Sequence, residues 1–203
     1  MTVIPAPGPL LKQSLTDPAG VARTLVGLNL PRNVLWTALL LMAALQSVLF
    51  ALSNLVMPPE DLLPAVLSSP LRFFMLTAAM LALTVSAIYW VGRLMGGDGA
   101  FEDVLVVIVW MQVLRLLVQL VSLVLALAIP QLAVMLLVAA SLVGIYILVH
   151  FIDQAHRLNS LAKSIGVLVL AMVALVVALS LLAALFLGPT VGVAGYAGSD
   201  SYV

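Results

Sequence analysis

FEDVLVVIVWMQVLRLLVQLVSLVLALAIPQLAVMLLVAASLVGIYILVHFIDQAHR, residues 101–157, decides the fold. Two long apolar runs meet at Pro130, and charge sits near their outer ends except for Arg115, stranded mid-run. Each run supplies the ~20 helical residues needed to cross a hydrocarbon core roughly 30 Å thick. Pro130 removes a backbone donor and disfavours helix at the residue before it, so a turn is predicted there. The two runs then form an antiparallel membrane hairpin with an ionisable group near its core.

The rest of the chain carries the same signature. Of its 203 residues 65% are hydrophobic and 8% charged, and mean hydropathy is +1.29. That composition cannot cover a water-soluble surface. Five spans are predicted, at about 33–56, 71–95, 104–129, 131–152 and 165–187. The fold class is therefore an all-α integral membrane protein, a five-transmembrane-helix bundle with a short amphipathic N-terminal arm. The arm is residues 1–32, the bundle 33–187 and a tail 188–203.

In the arm, Pro5, Pro7, Gly8 and Pro9 predict an irregular start, and residues 1–14 are expected to bury little. Asp17 and Pro18 signal a helix start. Val21, Leu25 and Leu28 then follow at i, i+4 and i+7, a stripe that suits a short helix lying in the membrane interface. A poorly ordered tail is the alternative. The N-terminus lacks an apolar run of about 7–15 residues behind a basic start, so no signal peptide is expected.

Lysine and arginine set the orientation. Lys12, Arg23, Arg32, Arg93, Arg157 and Lys163 fall on one side, against Arg72 alone on the other, with Arg115 left out. The expectation is a cytoplasmic N-terminus and a non-cytoplasmic, periplasmic C-terminus. Trp36, Tyr89 and Trp90 at one set of span ends, and Phe73 and Phe74 at the other, read as interfacial anchors. Small residues recur every fourth position in Ala43–Ser47–Ala51, Ala78–Ala82–Ser86, Ala140–Gly144 and Ala174–Ala178. Such ridges allow close helix approach, within the chain or in a dimer.

Two polar stripes are candidate sites. In the third span Gln112, Arg115, Gln119 and Ser122 fall within about 80° of one helix face. An arginine at that depth costs at least ~2.5–3.5 kcal/mol on insertion scales, so it should face the bundle interior or a water-filled cavity. It is either functional, a structural hydrogen-bonding group, or a side chain reaching for lipid phosphate. In the fourth span Tyr146, His150, Asp153 and Arg157 share a face, with Asp153 and Arg157 expected to pair at i, i+4. Arg115 lies fifteen residues before Pro130 and Tyr146 sixteen after it, which predicts equal depth in the hairpin. The two stripes are thus expected to face each other, with the Tyr146 hydroxyl accepting from Arg115, and with Gln112, Gln119, water or Gln46 supplying the rest.

Other chemistry finds little support. Cysteine is absent, excluding disulfides, thiolate metal sites and thiol nucleophiles. His156 points away from the His150–Asp153 face, so no metal is expected. The Gly96-Gly97-Asp98-Gly99 loop lacks the lysine and strand of a phosphate loop and reads as a tight turn. Zero net charge argues against nucleic acid. No nucleophile–base pair or cofactor motif is present, so neither an enzyme nor a cofactor is expected.

The pattern resembles the Yip-domain (Ypt/Rab-interacting protein) membrane family, in its bacterial branch. The resemblance rests on Asp17-Pro18 and the helix to Leu30-Pro31, on Gly96-Gly97, on Phe101-Glu102-Asp103 at the head of the third span, and on Trp110, Pro130 and the His150–His156 segment. It implies a five-helix bundle with a cytoplasmic N-terminus in the bacterial inner membrane. Eukaryotic members are linked to Rab GTPases, vesicle transport and membrane shaping. Here the arm is short and the family's Asp-Leu-Tyr-Gly-Pro signature is missing, which speaks against GTPase binding. The expected function is a structural or adaptor component that binds lipids, other membrane proteins or itself. The alternative is a small channel, transporter or lipid-moving subunit built around Arg115.

Overall fold

A computed structural model describes residues 7–56 and 69–187. These form seven helices: α1 (Pro7–Thr16), α2 (Pro18–Gly27), α3 (Arg32–Val56), α4 (Pro70–Leu94), α5 (Phe101–Ala128), α6 (Pro130–His156) and α7 (Leu161–Leu187). Five of them, α3 to α7, are long and apolar enough to cross a membrane. The predicted spans therefore hold, with boundaries shifted by a few residues. The 188–203 tail and the acidic pair Glu60 and Asp61 lie outside the described residues.

The hairpin turns where proline dictates. Ile129 caps the end of α5, and Pro130 is the first residue of α6, where its missing N–H costs nothing. One residue thus joins two helices that pack along their length. At the end carrying the arm, Gly96 adopts φ +87°. Gly97 N–H bonds the Gly92 carbonyl at 2.9 Å and Gly96 N–H bonds Arg93 at 3.1 Å, the paired bonds of a Schellman stop. Helix α6 ends likewise, with Leu158 N–H on the Asp153 carbonyl at 3.1 Å, but Arg157 takes the left-handed position at φ 55°. Helix α5 begins with Asp103 accepting the Ala100 N–H at 3.1 Å, and acidic side chains in its first turn suit the helix dipole.

The core lies toward the arm end. Val85, Ile88, Val104, Leu105, Val107, Phe151, Ile152 and Val167 are fully or almost fully enclosed there. Trp36 and Tyr89 belong to this packing as well as to the span ends. Trp36 stacks on Phe101 at 6.1 Å, and Tyr89 meets the same ring edge-on at 5.4 Å. Trp90, 66% exposed, keeps the position of an interfacial anchor.

The arm departs from expectation in two ways. Its start is helical, because Pro7 and Pro9 occupy the first turn, where the lost N–H groups have no helical partner anyway. Helix α2 begins as predicted, with the Asp17 carboxylate accepting the Gly20 N–H at 2.9 Å. Its apolar face is also the predicted one, but Val21, Ala22 and Leu25 are buried against α6 and α5 rather than turned to lipid. Arg23 reaches Gln154 at 3.4 Å. Leu10 and Ser14 are buried too, and Ser14 Oγ accepts the indole N–H of Trp110 at 2.9 Å. Of the segment expected to bury little, Leu10 and Ser14 therefore do contribute to packing, and residues 1–6 lie outside the described residues. Deleting residues 1–16 should cost about 2–3 kcal/mol, one buried leucine plus one buried hydrogen bond. The check is an intrinsic-fluorescence melt in mild detergent, and an unchanged midpoint would show that α1 is dispensable.

Candidate functional site

The structure separates the two polar stripes that the sequence placed face to face. The α5 stripe turns inward at Gln112 and Ser122, which are buried, and partly at Gln119, while Arg115 stays exposed. Gln46 of α3, expected as a partner of Arg115, instead donates to Gln112 at 2.8 Å in a buried bond. One turn further along α5, Arg115 and then Gln119 and Ser122 line a cavity of about 740 Å³ between α3, α4, α5 and α6. The remaining wall is mostly apolar, with Phe50, Phe73, Met80, Leu123 and Val134 prominent. Arg115 is the single charged residue in this lining among the described residues.

The α6 stripe does something else. Tyr146 is 48% exposed and makes no hydrogen bond to Arg115, so the predicted pair does not form. At that depth α6 turns Ile147 and Phe151 inward, and the Tyr146 side of the helix has no neighbour over it. Tyr146 instead packs against His150, ring centroids 4.5 Å apart, and His150 Nδ1 contacts the Tyr146 carbonyl at 2.9 Å. Gln112, although level with His150 along the hairpin, therefore meets Gln46 and not that stripe.

Asp153 and Arg157 also have partners other than each other. The Asp153 carboxylate is buried and accepts the Ser160 N–H at 2.9 Å and the Ser164 hydroxyl at 3.2 Å from one oxygen. Its other oxygen accepts from Gln154 at 2.9 Å. It is the cap that starts α7. Arg157, held in the left-handed cap of α6, lies 3.5 Å from Asp103 of α5. The i, i+4 pair fails because the α6 helix ends between the two residues, and the backbone turn sends Arg157 to a different neighbour.

Sequence reasoning missed the use of the glycine-rich loop. His156 is completely buried, and its ring fills a socket over Gly92 and Gly97. A Cβ on Gly97 would stand 2.8 Å from His156 Cβ, and one on Gly92 would overlap the imidazole. Asp98 N–H closes the joint on the His156 carbonyl at 3.0 Å. Four glycines within the eight residues 92–99 were a signal, but only the tertiary approach of α6 gives it meaning. Beside this joint Glu102 lies 3.3 Å from Arg32, whose guanidinium stacks 4.6 Å over Phe101. Among the described residues no group of acidic, histidine or cysteine side chains is placed to hold a metal ion.

Five long apolar helices around an enclosed core define a multi-pass membrane protein. A family model described as the Yip1 domain matches residues 12–197. The chain belongs to the Yip1-domain family, generally non-enzymatic membrane-trafficking proteins. Neither a curated protein nor a solved structure gives a significant match. The motif positions have structural roles here: Gly96 and Gly97 form the turn and socket, Phe101 gathers the aromatic cluster, Trp110 holds the arm and Pro130 turns the hairpin.

Proposed function

We propose that the protein is a non-catalytic adaptor of a bacterial inner membrane, meeting other membrane proteins, lipids or a second copy of itself through its helix faces. The observation that carries this reading is the use made of its ionisable groups. Asp103, Asp153, His156 and Arg157 are engaged in joints between helix ends, as are Arg32 and Glu102. These joints brace one rigid end of the bundle, onto which the arm is docked; they hold the carboxylates and arginines in pairs or caps and enclose the His156 ring away from any substrate. The orientation that goes with this reading has the arm and the joints in the cytoplasm and the C-terminus in the periplasm, following the positive-inside bias.

The experiment is purification in mild detergent with crosslinking beforehand. A stoichiometric membrane-protein partner or a self-associated species is expected, and a reporter fused after Val203 should be active only on the periplasmic side. A strictly monomeric protein without partners, combined with solute flux in proteoliposomes above protein-free controls, would replace this reading. The second reading, a transport or lipid-moving subunit, draws on one observation, the cavity at Arg115.

A further inference from the structure

We propose that the cavity between α3, α4, α5 and α6 is a binding site for a long-chain fatty acid, its carboxylate on Arg115 and its chain running toward Pro130. Arg115 makes no hydrogen bond or ion pair with any other described residue, although it sits mid-way along a membrane-spanning helix. A guanidinium has five donors and strongly prefers a planar, two-oxygen acceptor. Ser122, two turns along the same wall, supports the same reading. Its hydroxyl is buried without any partner, whereas Ser14, Thr24, Ser53, Thr84, Ser86 and Ser141 all close onto the carbonyl four residues back. Both unsatisfied groups line the one cavity.

The shape and lining select the ligand. The cavity extends from the level of Arg115 and Thr84 to that of Pro130 and Phe73, about 22 Å at 1.5 Å per residue along α5. Its volume of about 740 Å³ lies within the range of small-molecule sites. Beyond the inner end the wall is mainly Phe50, Phe73, Leu76, Leu123, Val134 and Leu137, with Thr77 and with Ser53, whose hydroxyl is turned onto the Leu49 carbonyl, and it suits an alkyl chain and not a hydrated ion. Among the described residues the lining offers one positive charge, which neutralises a monoanion; a phosphate monoester would bring a second charge with none of them to balance it. The Gln46–Gln112 bond lies one turn to the arm side of Arg115 and bounds the head-group end. This inference rests on the spanning architecture and not on the adaptor reading, so failure to find protein partners would leave it standing.

The test uses the full chain in phosphatidylcholine nanodiscs and a palmitate analogue carrying a photoreactive group near the end of its chain. Saturable labelling of peptides from the cavity wall is expected, competed by palmitate but far less by methyl palmitate. Arg115→Gln should reduce labelling about tenfold or more, the loss of one charge-assisted, two-oxygen contact. Leu123→Trp, which fills the cavity and leaves Arg115 in place, should block labelling as well. Should either variant fold poorly, competition by acid against ester on the unaltered protein still decides. Equal competition by the two, undiminished labelling of a folded Arg115→Gln protein, or no saturable labelling of the unaltered protein would overturn the proposal. Stronger competition by lysophosphatidic acid than by palmitate would also overturn it, in favour of a phosphate head group.

Discussion

Replacing Gly99 with alanine is expected to destabilise the protein by about 3 kcal/mol, at the upper end for overpacking, or to prevent its accumulation. A Cβ there would collide with the Ala155 carbonyl oxygen and lie 2.8 Å from the Ala155 carbonyl carbon and 3.0 Å from His156 Cα. Those are backbone atoms, so no side-chain rotation relieves the overlap, and the α6 end must leave its socket. Gly144→Ala makes the same chemical change with the opposite expectation. Its Cβ would meet nothing within 4 Å, and alanine in a helix interior is favoured over glycine by about 0.5–1 kcal/mol. Tryptophan-fluorescence melts of the two variants in one detergent provide the comparison. A Gly99→Ala midpoint indistinguishable from the parent would mean that α6 does not seat against the glycine loop.

Asp153→Ala should be the second severe change, costing about 3 kcal/mol through a buried N–H and a buried hydroxyl left without their charged acceptor. Asp153→Asn keeps one acceptor oxygen for Ser160 and Ser164 but presents an amide to Gln154, whose own oxygen already faces Arg23. Its loss should be intermediate, about 1–2 kcal/mol. By contrast Arg157→Gln removes an ion pair whose arginine side chain is 61% exposed, and such pairs contribute only about 0–1 kcal/mol. The order Ala, then Asn, then the Arg157 variant is the informative result. Equal losses at Asp153→Ala and Arg157→Gln would show that the carboxylate does not cap α7.

These two sites mark where sequence reading stops. Span number, the turn at Pro130, the Asp17 cap and the inward turn of Gln112 and Ser122 were legible because they depend on length, backbone chemistry and helical period, whereas Arg115 on the same stripe stays exposed. Periodicity groups Tyr146, His150 and Asp153 on one face of α6, but it does not say what covers that face at each depth. Near the arm end α7 covers Asp153, through Ser160 and Ser164; sixteen residues from Pro130 nothing covers Tyr146. Likewise Gly99, in a loop, differs from Gly144, inside α6, in what approaches it from a distant part of the chain. The prolines of α1 misled for a simpler reason. Proline is read as a helix breaker, yet in a first turn it costs no hydrogen bond.

The α5–α6 hairpin is fastened at both ends: covalently through Ile129, and at the opposite end through the glycine socket and the Asp98–His156 bond. A rod pinned at both ends can neither slide nor turn about its axis without breaking one fastening. Gly92 of α4 belongs to that same socket and Gln46 ties α3 to α5, so any breathing of the bundle that admits a molecule to the Arg115 cavity must open α3 and α4 at their ends away from the arm. Helices α3 and α4 would act as the leaf of a door, and the hairpin as its frame.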